Sequence, residues 1–360
     1  MAPSTSKSSK SSKPKASEVA AETKKYYIPL IRKNYGSSWP TVSYLYHQPI
    51  QQLTISRCLS NFPSPPTFHV TCGDPVDFAL QMAASETNRT GEDVRVPFIC
   101  AANEKRPGGD WETGVVGYEE RLCRRSTLSA ALSTPGPRSD VSTNYPIPCE
   151  GGILSNYVVV FRGLHDRYER LDEDQWAAVP VVSVVPARWP KLSHSGTKYS
   201  FEQERDLVKV KLRAALRICL YNGYRYVVVG DWGLGNGCRN PPLEMAELWR
   251  EVFLYDPELR GQFLFAAFVF EDERQSTTRF ILEDIAKKSK GSSSSSKSKD
   301  GGSGSKSKSK SGSGSSSSSS SSLGDVMTDF EIFNRVFDEG EIQKVLSQPD
   351  PRYKLGTITS

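Results

Sequence analysis

The chain has 360 residues, 37% of them hydrophobic, and a net charge of +5. Residues 1–25 hold six Lys and two Glu, and residues 287–322 hold eight Lys and one Asp, so the rest of the chain carries a net charge of −6. A mildly acidic folded part argues against a broad nucleic-acid-binding face, and no apolar run has the length of a membrane span.

Two segments have a composition that is typical of disorder. Residues 1–25 are rich in Ser and Lys, and residues 287–322 are almost entirely Ser, Lys and Gly. Such segments cannot bury enough apolar surface to offset the entropy of ordering, so we predict a disordered tail and a disordered insert. We interpret their lysines as belonging to solvated spacers.

The cysteines indicate an intracellular protein without a bound metal. The chain has seven Cys and four His, but no CxxC pair and no zinc-ligand spacing. The N-terminus lacks the apolar stretch of a secretory signal. We therefore expect no metal, no cofactor, no membrane association, and a monomer in the cytoplasm or nucleus, where thiols stay reduced.

The predicted elements alternate along the chain after a Tyr- and Pro-rich N-terminal extension, residues 26–66, which we expect to pack on the core with short helical pieces. Apolar runs rich in Val predict strands at 67–74, 94–103, 151–163, 177–188, 224–230 and 261–272. Helical spacing and end signals predict helices at 75–85, 120–132, 200–223, 243–256 and 326–338. For the helix at 243–256, Asn240 is the expected cap and Pro241 the expected first residue.

This alternation, with strands that are apolar on both faces, predicts a three-layer α/β domain over residues 67–360. Its central sheet is expected to be mixed but mostly parallel. Ligands in such folds bind beyond the carboxyl ends of the strands.

Two glycine-rich loops fall at that edge. Pro107-Gly108-Gly109 follows the strand at 94–103, and Gly233, Gly235 and Gly237 follow the strand at 224–230. Glycine allows close approach of a ligand, and successive backbone N–H groups can bind phosphate oxygens. The P-loop and GxGxxG patterns are absent, and tight turns that need positive φ are the alternative explanation.

Glu119 and Glu120 stand side by side where the helix after the first loop begins. They can stabilise the helix N-terminus, with Glu120 pairing with Arg124. They can also bind sugar hydroxyls. Finally, they can act as a general acid and base, since adjacent carboxylates raise each other's pKa.

The first loop and its helix resemble the signature of the microbial-type poly(ADP-ribose) glycohydrolases, a branch of the macrodomain superfamily. The matching residues in "RPGGDWETGVVGYEERLCRRSTL" are Pro107, Gly108, Gly109, Trp111, Gly114, Glu119, Glu120, Leu122, Cys123, Arg124, Arg125 and Ser126. "YVVVFRG" (157–163), "VVVGDWGLG" (227–235) and "VTCGDPVDFAL" also resemble family segments.

The resemblance implies a macrodomain-like α/β/α fold and a hydrolase that cleaves an ADP-ribosyl linkage on poly- or mono-ADP-ribose, protein or nucleic acid. Glu120 would be the acid and base, and Glu119 would orient the sugar. The implied ADP-ribose ligands are Asp74, Asn103, Pro107, Gly108, Gly109, Asp110, Trp111, Gly114, Tyr118, Gly230, Trp232, Gly233, Leu234, Gly235, Asn236 and Gly237. Among them, Asp74 would receive the adenine amino group, or else cap a helix, and Asn103 would contact the distal ribose.

The chain departs from the family pattern at several of these positions. Asp110 replaces a third glycine, Tyr118 a Gln, and Asn236-Gly237 stand where the family has a Phe; Asp231 replaces a small residue. These departures keep open an alternative, a module that binds ADP-ribose without cleaving it. A Rossmann-type oxidoreductase fits poorly because GxGxxG is missing.

Overall fold

A computed structural model describes residues 14–47, 65–137, 139–292 and 326–348. The prediction of disorder for residues 1–13 and for residues 293–322 lies outside the described residues. The insert was predicted to begin at residue 287, but the backbone of the preceding helix continues to Ser292.

The strands are β1 (Tyr44–Tyr46), β2 (Thr67–Cys72), β3 (Phe98–Ala101), β4 (Gly152–Val160), β5 (Ala177–Val184), β6 (Tyr226–Val229) and β7 (Phe265–Phe270). The helices are α1 (Ala16–Glu22), α2 (Ile28–Asn34), α3 (Pro75–Thr90), α4 (Tyr118–Arg125), α5 (Leu128–Leu132), α6 (Glu202–Tyr221), α7 (Gly235–Cys238), α8 (Pro242–Tyr255), α9 (Thr277–Ser292), α10 (Asp329–Val336) and α11 (Glu339–Ser347). A π-helical turn, Thr23–Tyr27, joins α1 to α2, and a 3₁₀ turn covers Glu173–Gln175.

All of these strands belong to one sheet in the order β1-β4-β5-β3-β6-β7-β2. The contacts of β4 with β1 and β5 are antiparallel, and the remaining neighbours are parallel. The mixed, mostly parallel sheet predicted from the alternating pattern is therefore confirmed.

Helices cover both faces of the sheet, as its apolar strands require. One buried cluster joins the sheet to α6, α8 and α10, and the other joins it to α3, α4 and α5. β4, β5 and β6 are almost entirely buried because each contributes side chains to both clusters. The three-layer α/β/α architecture is thus confirmed.

The N-terminal segment is helical where the tail was predicted to be disordered, from Ala16 to residue 25. Its buried side chains explain the difference: the Tyr27 ring stacks on Phe161 with centroids 4.4 Å apart, and Ile31 is fully buried. The Thr23 hydroxyl also donates to the carbonyl of Arg124 at 2.6 Å, which ties this segment to α4.

Two predicted helices differ in detail. The helix expected at 120–132 breaks at Ser126, which is extended and pairs with Val160 of β4. The helix expected at 326–338 is α10, which ends at Val336, and a further helix that the sequence did not predict, α11, begins at Glu339.

Asn240 does not cap α8. The helix begins at Pro242 without a side-chain cap. The Asn240 amide instead donates to the carbonyls of Ala187 at 2.8 Å and Gly233 at 2.7 Å, so it braces the second glycine loop.

Candidate active site

The two glycine loops leave the same edge of the sheet. β3 and β6 are neighbouring parallel strands, with Phe98 opposite Val228. Gly230 lies beside this pair, because a Cβ placed on it would be 3.4 Å from a Phe98 ring carbon. Residues 107–114 and 230–237 therefore follow neighbouring parallel strands at the same edge of the sheet, where ligands bind in this fold class.

Arg124 shapes the first loop from inside the protein. Its buried guanidinium donates to the carbonyls of Trp111 at 2.8 Å, Thr113 at 2.9 Å and Val115. The Trp111 side chain is buried beside Gly108, where a Cβ would collide with the Cys123 sulfur at 2.6 Å. Trp111 and Gly108 thus support the loop from the protein side, not the solvent side.

Glu120 occupies a gap that two glycines leave open. A Cβ on Gly109 would lie 2.4 Å from Glu120 Oε1, and a Cβ on Gly117 would lie 2.2 Å from Oε2. The Asn103 amide nitrogen lies 3.3 Å from the same Cβ position on Gly109, so it belongs to this group of atoms. The half-buried Glu120 carboxylate has no hydrogen-bond or ion-pair partner in the part of the chain that the structure describes. It does not pair with Arg124, whose guanidinium bonds the loop carbonyls.

Glu119 has a different environment. Its side chain is buried, and Oε2 accepts a hydrogen bond of 2.6 Å from the backbone N–H of Asn103. Burial raises the pKa of Glu119 to about 8, and the charge of Glu120 adds to this rise. Glu119 Oε1 is buried as well, and the backbone N–H of Gly108, like that of Asn103, limits the rise of the pKa. At neutral pH this carboxyl is mostly protonated.

Asp74 acts as the helix cap that was one of its two expected roles. Its Oδ1 accepts the N–H groups of Val76 and Asp77, each at 3.0 Å, at the start of α3. The same oxygen accepts the Tyr118 hydroxyl at 3.1 Å and the Arg125 guanidinium at 2.8 Å. All four of these hydrogen bonds go to Oδ1, so Oδ2 is the oxygen left to face an adenine.

Asp110 lies on the rim and forms an ion pair with Arg106 at 3.0 Å, with both side chains largely exposed. This pairing offsets the negative charge that replaces the family's third glycine. Pro107 is half-buried, and Gly114 is exposed with open space around it.

Several hydrogen-bond donors of the second loop are already bonded to other groups of the protein. Trp232 is buried, and its indole N–H donates to the carbonyl of Val184 at 3.0 Å. The N–H of Gly235 donates to Thr277 Oγ1 at 2.6 Å, and the N–H of Leu234 donates to the carbonyl of Asp231 at 3.0 Å. These two N–H groups are therefore not free donors for a diphosphate.

The other residues of the second loop differ in exposure. Gly233 is buried and has φ of +79°, and a Cβ on it would lie 3.2 Å from the Asn240 amide nitrogen. Asn236 and Gly237 are exposed, and Asn236 Oδ1 accepts the Arg239 guanidinium. Asn236 and Gly237 are thus the parts of this loop that face outward.

A buried acidic group lies behind the second loop. Burial raises the pKa of Asp231 to about 6, and the nearby charges of Glu271 and Asp329 raise it further. Glu271 forms an ion pair with Arg121, and Asp329 accepts both the N–H and the hydroxyl of Thr277. Asp231 thus remains mostly ionised at pH 7 and becomes neutral only below about pH 6.

Arg188 is a candidate site residue that the sequence analysis missed. It is exposed in the segment after β5, and its charge lowers the pKa of both Glu119 and Cys238. These two groups belong to the first loop's helix and to the end of the second loop, so Arg188 lies within electrostatic reach of both. Its position beyond a parallel strand is the one signal that could have found it.

The structure contains no helix that is long and apolar enough to cross a membrane within its described ranges. Over the same ranges it holds no cluster of His, Cys, Asp and Glu that could bind a metal ion.

Comparison with known proteins supports the resemblance. Residues 11–163 match the family model "Microbial-type PARG, catalytic domain", where PARG is poly(ADP-ribose) glycohydrolase. The resemblance to this family is confirmed. The match includes the first glycine loop, Glu119 and Glu120, and it ends before the second loop.

The fold is that of solved PARG structures. The PARG from Thermomonospora curvata is 17% identical, with 75% of this chain and 98% of that chain covered and a TM-score of 0.51. Its complex with the inhibitor ADP-HPD gives 19% identity, coverage of 76% and 98%, and a TM-score of 0.49. A mutant PARG from Deinococcus radiodurans in complex with ADP-ribose gives 20% identity, coverage of 72% and 97%, and a TM-score of 0.48. No significant match was found among curated protein sequences.

Proposed function

We propose that this chain binds ADP-ribose at the edge formed by β3 and β6 and hydrolyses an ADP-ribosyl linkage there. The observation that carries the proposal is the state of the glutamate pair. Glu120 is an unpartnered carboxylate held between Gly109 and Gly117, and Glu119 is buried beside it with a raised pKa. The solved PARG structures with ADP-ribose or an inhibitor support the ligand class.

The two glutamates have separate roles in this mechanism. Protonated Glu120 gives its proton to the oxygen that leaves the anomeric carbon of the distal ribose, and the glycosidic C–O bond breaks with an oxocarbenium-like transition state. The resulting carboxylate then takes a proton from the water that attacks the anomeric carbon. Buried Glu119, which accepts the backbone N–H of Asn103, holds the loop end beside Glu120 and so orients the sugar relative to it.

The diphosphate would lie between the two loops. Arg188 is the exposed cation near both of them and would contact a phosphate oxygen. The outward-facing residues Asn236 and Gly237 would border the distal ribose. The N–H groups of Leu234 and Gly235 would serve to hold the loop.

The alternative is a module that binds ADP-ribose without cleaving it. Two observations favour it: Asp110 stands where the family has glycine, and the internal bonds of Leu234 and Gly235 remove two phosphate donors. Such a module would bind ADP-ribose through the same residues but release no product.

Glu120→Gln tests the proposal against this alternative. The variant keeps the shape of the side chain, cannot act as acid and base, and should lose about 10²–10⁴-fold in turnover on ADP-ribosylated substrates while still binding ADP-ribose in calorimetry. The exposed Glu112, which pairs with Lys24, provides the control Glu112→Gln. The alternative, a binding module, is established if wild-type protein binds ADP-ribose but turns over none of a panel of ADP-ribose substrates linked to poly(ADP-ribose), protein or nucleic acid.

We further propose an intracellular monomer that needs no metal, with residues 67–360 as the catalytic domain. Light scattering and activity after chelation of metals check these two properties. A dimeric mass, or activity that chelators remove and added metal restores, would contradict them.

A further inference from the structure

A second cleft lies beyond the outer end of the second glycine loop. It has a volume of about 520 Å³, within the range that encloses a group of small-molecule size. The segment after β5 and the helix α9 form its walls. Trp189, Phe201, Lys191 and Arg239 give it an aromatic and basic lining.

The two aromatic rings in this cleft are exposed. Trp189 is 56% exposed and Phe201 is 47% exposed, although both sit among ordered neighbours. A cation lies over each ring: the Arg239 guanidinium is 4.0 Å from the Trp189 ring centre, and Lys191 Nζ is 5.4 Å from that of Phe201. Each cation lies over one face of its ring, and the rings remain about half exposed.

The backbone around Trp189 is held in an unfavourable conformation. Trp189 and Arg239 have φ of +54° and +58°, a region that bulky side chains rarely adopt. The N–H of Trp189 donates to the carbonyl of Cys238 at 2.7 Å, and Arg239 forms an ion pair with Asp284 at 3.4 Å. The surrounding contacts therefore fix an exposed indole in one place.

The charge of the cleft suits an anion. Lys191, Arg239 and Lys288 line it, and Asp284 is the acidic residue in the same lining. Arg188 precedes Trp189 in the chain, and it is an exposed cation whose charge also reaches Glu119. Exposed aromatic rings in a basic groove are what single-stranded nucleic acids bind, through base stacking and phosphate contacts.

We propose that this cleft binds unpaired nucleotides of a single-stranded nucleic acid on the leaving-group side of the candidate active site. This rests on the proposed function, because it names the acceptor from which the ADP-ribosyl group is removed. Two stacking rings in one cleft suit neighbouring nucleotides, whose bases are separated by one sugar-phosphate unit. Successive adenines in poly(ADP-ribose) are separated by two riboses and a diphosphate, so a single small cleft suits them less well.

The test measures binding of a fluorescent 12-nucleotide single-stranded DNA to the full chain by anisotropy. Loss of a stacked ring lowers the affinity of such complexes by roughly five- to a hundredfold, so we expect this loss for Trp189→Ala and Phe201→Ala. Trp189→Phe should retain most of the affinity. The control Tyr221→Ala removes a ring that is 48% exposed outside the cleft and should change the affinity less than twofold.

The point variants separate stacking from general attraction of polyanions by the Lys-rich residues 287–322, which all of them share. The proposal is overturned if the double variant Trp189→Ala, Phe201→Ala binds the oligonucleotide within twofold of the wild-type affinity while its melting temperature is unchanged. It is also overturned by ring-dependent binding of poly(ADP-ribose) without ring-dependent binding of DNA. ADP-ribose binding is measured in the same variants: its absence from wild type contradicts the proposed function, whereas its presence without ring-dependent DNA binding contradicts only the cleft.

Discussion

Gly117→Ala should inactivate the protein while leaving its fold intact. Gly117 has φ of −59° and ψ of 154°, which alanine adopts without strain. The added Cβ would lie 2.2 Å from Glu120 Oε2, and the three nearest heavy atoms it would meet all belong to the Glu120 carboxyl group. The substitution therefore acts on one functional group.

The size of the effect follows from this distance. Ordinary van der Waals contacts of a Cβ begin near 3.4 Å, so the Glu120 carboxylate must move by about 1 Å. A displacement of that size in a catalytic group costs on the order of 10²-fold in rate. The Glu120 side chain is flexible and half-buried, so the free energy of unfolding should fall by less than about 1 kcal/mol.

The assay compares Gly117→Ala with Gly114→Ala on an ADP-ribosylated substrate, and thermal unfolding of both. A Cβ on Gly114 would meet no heavy atom within 4 Å, so this variant should keep wild-type turnover within about threefold. Equal activity of the two variants would refute the argument that the gap between the glycines positions Glu120.

Three further predictions follow from the site. The pKa of Glu119 is raised from 4.5 in the unfolded chain to about 8 in the folded state, so the folded state keeps a proton that the unfolded chain releases. The free energy of unfolding should therefore fall as the pH rises from 5 to 8. The Glu119→Gln variant should show a shallower fall when its melting is measured against pH. Arg124→Lys should weaken ADP-ribose binding at least tenfold in calorimetry, since one ammonium cannot hold the three carbonyls of the loop; wild-type affinity would contradict this role. Arg188→Ala should lower ADP-ribose affinity severalfold and reduce its salt dependence, with an unchanged salt dependence counting against a phosphate contact.

The sequence was sufficient for the sheet and for the edge where the site lies. The Val-rich segments that form β4, β5 and β6 have no polar face, so each must be a strand whose two faces are both covered by other elements. Glycines beyond two of the predicted strands then indicated the loops. These are local signals, and local signals predict element type well.

The errors come from tertiary contacts that no local pattern reports. Ser126 interrupts a good helical sequence because its backbone pairs with Val160, and Asn240 leaves its cap position because two distant carbonyls need its amide. The N-terminal helical segment does have a recognisable pattern of apolar residues in the sequence. Val19, Thr23, Tyr27 and Ile31 recur at intervals of four and are all buried, but the Ser/Lys composition around them obscured that pattern.

The pair of glutamates next to flexible glycines has a geometrical explanation. Successive residues of a helix point about 100° apart, so Glu119 and Glu120 cannot share one environment at the start of α4. Glu119 turns under the end of β3, where burial favours its neutral form, while Glu120 turns toward the loop. There a side chain on Gly109 or Gly117 would fill the space of its carboxylate. Adjacent residues of the same type thus acquire different surroundings, and the absence of two Cβ atoms leaves room for the Glu120 carboxyl group beside the first loop.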